Sequence, residues 1–221
     1  MDLHKIASRV ARIARVETVG DSSRLTELIS DDIKSRFKIP SSAQPFKSGN
    51  FSSVFENSEG NIVAFVDTPN ACESAYTAVG RNLTTVPEVY DLDTFSVTKE
   101  DAYETTGGYA EPLDVNICVI VMEKLTPLTR EEINQLNNID PSGSDDLMDD
   151  PGDAKIRLEK MLENIDEIQR PYPYPIVYDK IDLLQRMDEE NIGHDDFHPG
   201  NVAWGHDGKL KLIDWESIYF R

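Results

Sequence analysis

At 221 residues the chain has room for one medium domain or two small lobes, and its 39% hydrophobic content is enough for a packed core. Forty-one Asp and Glu against 22 Lys and Arg give a formal charge of −19. That imbalance argues against binding to nucleic-acid phosphate or anionic membrane, because such a surface has no counterions to release. A basic partner, plain solubility or an acidic imitation of DNA remain as meanings for the charge.

The opening MDLHKIASRVARIARV sets Leu3, Ile6, Ala7, Val10, Ile13 and Ala14 at helical spacing over 3–15, with basic residues between them. It lacks the apolar core and cleavage site of a secretory leader. DSSRLTELISDDIKSRF reads as one further helix capped by Asp21 or Ser22, with Leu25, Leu28, Ile29 and Ile33 in a stripe. Beyond KIPSSAQP the pattern becomes that of strands. FKSGNFSSVFEN and NIVAFVDT are joined by Ser58-Glu59-Gly60-Asn61, a hairpin signal. ACESAYTAVGRNL is a helix with Cys72, Ala75 and Val79 on one side, and VPEVYDLDTFSVT and VNICVIVMEKL are strands. The stretch EDAYETTGGYAEPLD between them reads as a polar loop at a sheet edge, and 137–153 as an acidic mobile loop. Helices are expected at about 153–169 and 179–191, then a short hairpin turning at His206-Asp207-Gly208.

No segment approaches the ~20 apolar residues of a membrane span. Cys72 and Cys118 form no spaced framework, which predicts two reduced core thiols and a cytoplasmic protein. The element order describes an α+β molecule with two lobes.

The densest chemistry lies in GHDDFHPGNV, residues 193–202. His194, Asp196 and His198 offer metal ligands if the segment is extended, with His206 the sole candidate for a fourth. Equally, Asp, His, Pro, Gly and Asn make an ordinary polar turn. Thirteen residues past Asn201, however, Asp214 ends an apolar strand, LKLIDWE, where a carboxylate is costly unless it is paired or holds a cation.

His194-x-Asp196-x4-Asn201 followed by Asp214-Trp215-Glu216 resembles the catalytic loop and metal-binding turn of the protein kinase-like superfamily. HxDFHPGN…LIDWE is similar in detail to aminoglycoside- and choline-type kinases, while the small size and SGNFSSVFEN resemble minimal protein kinases of tailed bacteriophages. The resemblance implies a two-lobed kinase-like fold with a truncated carboxy-terminal lobe. Residues 1–43 would be a helical extension, 44–124 an amino-terminal lobe, and 125–221 a minimal carboxy-terminal lobe. It further implies that Asp196 orients the acceptor hydroxyl and takes its proton, that His194 bonds backbone near the metal-binding strand, and that Asn201 and Asp214 hold Mg²⁺ against the phosphates of ATP. If the chain is phage-encoded, the cytoplasm is that of the host.

The amino-terminal half departs from the pattern. Of three expected loop glycines only Gly49 remains, and a single glycine between strands is equally a bulge. Ala64, Phe65 and Val66 stand where the phosphate-binding lysine belongs. Lys47 is either its relocated substitute or an exposed strand lysine. Glu73 is either the partner of that lysine or a first-turn glutamate favoured by the helix dipole. Met122-Glu123-Lys124 resembles the adenine-contacting hinge, and equally a core strand that ends there. Two functions follow: a phosphotransferase using Mg-ATP on a protein, with a basic partner suiting the −19 charge, or a pseudokinase-like module that binds a partner through its acidic surface.

Overall fold

The computed structural model describes residues 25, 29–45, 47–48, 52–103, 112–137 and 175–220. They form a mixed α+β structure with antiparallel sheets. Two compact units divide the chain. One holds the described residues up to Thr77 together with Val89–Glu123, and the other holds Ala78–Glu88 with the described residues from Lys124 onward.

The first unit is built on a five-stranded sheet of β1 (Lys47–Ser48), β2 (Ser52–Glu56), β3 (Ile62–Val66), β4 (Val89–Tyr103) and β5 (Pro112–Met122), in the order β1-β2-β3-β5-β4. Each neighbouring pair is antiparallel. The β2–β3 turn forms because Asn57 Oδ1 accepts from the amides of Glu59 and Asn61, each at 3.0 Å, while Gly60 takes φ +81°. Ile-Val-Ala-Phe-Val in β3 is buried along its whole length, as befits a strand flanked by β2 and β5. Phe65 is the centre of the core, meeting Phe37, Phe55 and Phe95 edge-on at centroid distances of 5.8, 5.7 and 6.3 Å. Leu25, Ile29, Ile117 and Val119 complete it.

Several expectations are corrected here. The single helix read from DSSRLTELISDDIKSRF is interrupted: Ile29 and Ser30 are not helical, and Ser30 Oγ accepts from Ile33 N to cap a new helix, α1 (Asp31–Arg36). The polar stretch after residue 98 is not all loop. β4 runs to Tyr103 and β5 starts at Pro112, so backbone pairing carries polar residues that hydropathy assigns to a turn. Helix α2 (Pro69–Arg81) begins two residues earlier than read, and Asn82 in the left-handed region ends it. Cys72 on α2 and Cys118 on β5 are both buried and are disulfide-bonded, with Cα atoms 5.9 Å apart. They are not reduced thiols, and since disulfides are rare in a reducing cytosol they lend a cytoplasmic location no support.

The second unit contains α3 (Arg130–Asn137) and α4 (Pro175–Glu190), the three-stranded sheet β6 (Thr126–Pro127), β8 (Val202–Trp204) and β9 (Leu210–Leu212), and the pair β7 (Ile192–His194) with β10 (Ile218–Phe220). Helix α4 buries Ile176, Val177, Lys180, Leu183, Leu184 and Met187, a stripe of three- and four-residue steps. Helix α3 carries a reciprocal cap, with Thr129 Oγ1 accepting from Glu132 N at 3.2 Å and Glu132 Oε2 accepting from Thr129 N at 2.6 Å. Glu190 anchors the 82–88 segment by accepting from the amides and hydroxyls of Thr84 and Thr85, while Arg186 donates to Thr84 O and Leu210 O.

Among the described residues, no helix is long and apolar enough to cross a membrane. The helix at 3–15, the caps Asp21 and Ser22, Gly49, the acidic loop beyond Asn137 and the helix at 153–169 lie outside the described residues.

Candidate active site

Strand β7 delivers His194 to the start of the polar loop. It pairs with β10 in the register Gly193↔Tyr219 and Ile218↔His194. Glycine at 193 leaves room for the Tyr219 ring, since an added Cβ would lie 2.1 Å from Tyr219 Cζ and displace it. Residues 195–198 then turn sharply, a single 3-10 turn covers Pro199–Asn201, and the chain enters β8. β8 and β9 pair in the register Val202↔Leu212, and Ile213 N donates to Asn201 O at 2.9 Å. Asp214 follows directly. This antiparallel pairing brings the 194–201 loop and the 213–217 turn side by side.

His194 joins the two. Its ring is fully buried; Nε2 donates to Ile213 O at 2.9 Å and Nδ1 accepts from Asp196 N at 3.2 Å. The carbonyl fixes the proton on Nε2, so both nitrogens are satisfied by backbone. That leaves His194 no lone pair for a metal and removes the reading in which His194, Asp196 and His198 are alternating ligands. Among the described residues, no group of three or more His, Cys, Asp or Glu side chains is arranged to hold a metal ion.

Asn201 is buried and holds the loop from the other end. Its Nδ2 donates to Asp196 O at 2.9 Å and to Asp196 Oδ2 at 3.1 Å. The Asp196 carboxylate itself is exposed. His198 caps the 3-10 turn by accepting from Gly200 N, and its Nε2 lies 3.5 Å from Asp196 Oδ2. Beneath the loop, the buried Phe197 ring meets His194 at 6.2 Å and lies 4.6 Å from Lys180 Nζ on α4. Burial pushes that lysine down to about 7.

The neighbouring turn is tied by Ser217, which donates from N to Asp214 O at 3.2 Å and from Oγ to Asp214 Oδ2 at 3.0 Å, while its carbonyl accepts from Asp195 N at 2.9 Å. Asp214 is exposed and adopts φ +74°. Burial, and then the Asp214 charge beside it, raises the Glu216 carboxyl above its ordinary range. Asn201 could offer an amide oxygen and Asp214 a carboxylate to a hard cation such as Mg²⁺.

Of the residues singled out from sequence, His194, Asp196, Asn201 and Asp214 come together in the second unit. Lys47, Glu73 and Glu123 belong to the first. Lys47 pairs with Val54 at the sheet edge, Glu123 is buried just past β5, and Glu73 is exposed in the second turn of α2 rather than the first. Sequence reasoning passed over Ser217 and Lys180. The spacing Asp-x-x-Ser signals the first as a side-chain-bonded turn. A lysine inside the apolar stripe of PIVYDKIDLL signals the second.

No protein-family model matches the chain, and no curated protein matches it.

Proposed function

We propose that the chain is an atypical, minimal two-lobed kinase-like phosphotransferase that moves the γ-phosphate of Mg-ATP to a hydroxyl, on a protein ahead of a small molecule. The observation that carries the reading is the double tie between the loop and the turn: His194 Nε2 to Ile213 O, and Ile213 N to Asn201 O, each at 2.9 Å. It supports bringing an exposed carboxylate at 196, an amide at 201 and a carboxylate at 214 to one end of the unit.

In this reading Asp196 orients the acceptor hydroxyl and takes its proton, a role that needs an exposed, immobilised carboxylate. His194 contributes nothing to the chemistry directly; it holds Asp196 N and Ile213 O at a fixed separation. Asn201 and Asp214 would hold Mg²⁺, which supplies charge neutralisation on the phosphates. The net charge of −19 favours acceptors with basic surroundings and disfavours nucleic acid.

Incubation of the full chain with γ-labelled ATP and Mg²⁺ tests the proposal. Label transfer is expected from wild type, with a loss of about 10²-fold or more in Asp196→Ala and Asp214→Ala. Absence of transfer from wild type, with basic proteins offered as acceptors, would overturn it.

One observation favours the second reading, a partner-binding module without catalysis. Strand β3 is buried throughout and offers no cation where a kinase carries its phosphate-binding lysine. A flat thermal response to Mg-ATP would support that module, because a ligand at a hundredfold its dissociation constant adds about 2.7 kcal/mol.

A further inference from the structure

Among the described residues, Asp196 is held through one oxygen of its carboxylate. Oδ2 accepts from Asn201 Nδ2 at 3.1 Å and lies 3.5 Å from His198 Nε2, while Oδ1 has no protein partner. The His198 ring is itself fixed. Nδ1 accepts the Gly200 N–H at 3.0 Å, and a neutral imidazole that accepts at one nitrogen carries its proton on the other. The ring N–H is therefore on Nε2, the atom that faces Asp196. Gly200 permits this placement, since a Cβ there would lie 2.7 Å from His198 Cε1 and displace the ring.

We propose that His198 is a positioning residue: with Asn201 it immobilises Asp196 Oδ2, so that Oδ1 is the atom that receives the proton of the acceptor hydroxyl. The 3.5 Å separation is long for a hydrogen bond, and such contacts tighten when substrate fills a site. In the transfer, the acceptor oxygen bonds to the γ-phosphorus, the bond from that phosphorus to the departing ADP breaks, and the proton passes to Oδ1 and then to solvent. This catalytic half rests on the phosphotransferase reading; the tautomer and its pairing with Asp196 do not.

Nitrogen-15 NMR of the full chain with labelled histidine tests the pairing, the His198 signal being identified by its loss in His198→Asn. In the neutral ring the Nε2-protonated form is expected, perturbed in Asp196→Asn and lost in Gly200→Ala. The Nδ1-protonated form would overturn the proposal. Hydrolysis of Mg-ATP, with water as acceptor, tests the role. His198→Asn keeps an acceptor for Gly200 N–H but removes the donor facing Asp196, and should lower kcat about tenfold at unchanged KM for ATP. His198→Gln, which returns a donor near the Nε2 position, should restore most of that loss. Wild-type kcat in His198→Asn would overturn the role. A wild-type chain inert toward Mg-ATP overturns the phosphotransferase reading and this catalytic half together, while the tautomer still decides the pairing.

Discussion

His194 and Ile213 stand 19 residues apart and meet through one hydrogen bond, from the imidazole Nε2 to a main-chain oxygen at 2.9 Å. The other ring nitrogen accepts from Asp196 N, so a single buried side chain spans two loops. Replacing it with alanine leaves a cavity, an unpaired carbonyl and an unpaired amide in one place. His194→Ala should lower the unfolding free energy by about 3 kcal/mol, read from urea denaturation. A change below about 0.5 kcal/mol would mean that the two loops are held by something else.

Glu190 gives the second unit an acid-sensitive anchor. Burial would raise its carboxyl, but the Thr85 and Thr84 donors together outweigh burial and hold it below its ordinary value. A carboxyl depressed in the folded state stabilises above its unfolded pKa, and that stability is lost as pH falls through the folded pKa. Thr85→Val removes a donor, so the variant should be less stable than wild type near neutrality. The gap should narrow as pH falls below the ordinary glutamate range and through the depressed folded pKa, where Glu190 becomes protonated in both. Urea midpoints measured across that range decide the matter, and a gap constant with pH would show that Thr85 acts through packing alone.

Lys180 carries the opposite sign. Burial lowers it from 10.5 to about 7, so protonating it costs the folded state more than the unfolded one. Stability should therefore rise with pH between about 7 and the ordinary lysine value, and the full penalty applies below 7. Lys180→Met should stabilise by about 2–4 kcal/mol at mildly acidic pH, with the gain fading toward alkaline pH. Methionine that destabilises at every pH would show that the ammonium over Phe197 contributes more than its burial costs.

Cys72 and Cys118 close a chain separation of 46 residues between α2 and β5. Removing such a link from a small domain costs about 2–4 kcal/mol. Reductant should lower the thermal midpoint of wild type and leave Cys72→Ser/Cys118→Ser unmoved. Thiol alkylation of unfolded, unreduced protein should find no reactive cysteine, and two alkylated residues would refute the bond.

Local signals were legible in the sequence wherever the responsible residues are neighbours. The Ser58–Asn61 turn, the His206–Gly208 turn, the strand at 62–66 and the α+β order all follow from spacing alone. The Thr129-x-x-Glu132 cap was equally legible and went unread. What spacing conceals is pairing at a distance. Nothing near Cys72 points to Cys118, and nothing near Lys99 shows that a polar strand continues because β5 lies opposite it. At the site, the motif supplied His194, Asp196, Asn201 and Asp214, whereas Ser217 and Lys180 matter only through where the fold sets them.

The backbone of Asp214 sits in the left-handed region at φ +74°, a conformation that disfavours any side chain with a Cβ by about 1 kcal/mol. Glycine would relax it. A thermostability screen run over this turn should therefore enrich Asp214→Gly and discard the carboxylate that the proposed phosphotransfer needs. Under that proposal, position 214 is the one to sequence first in such a library.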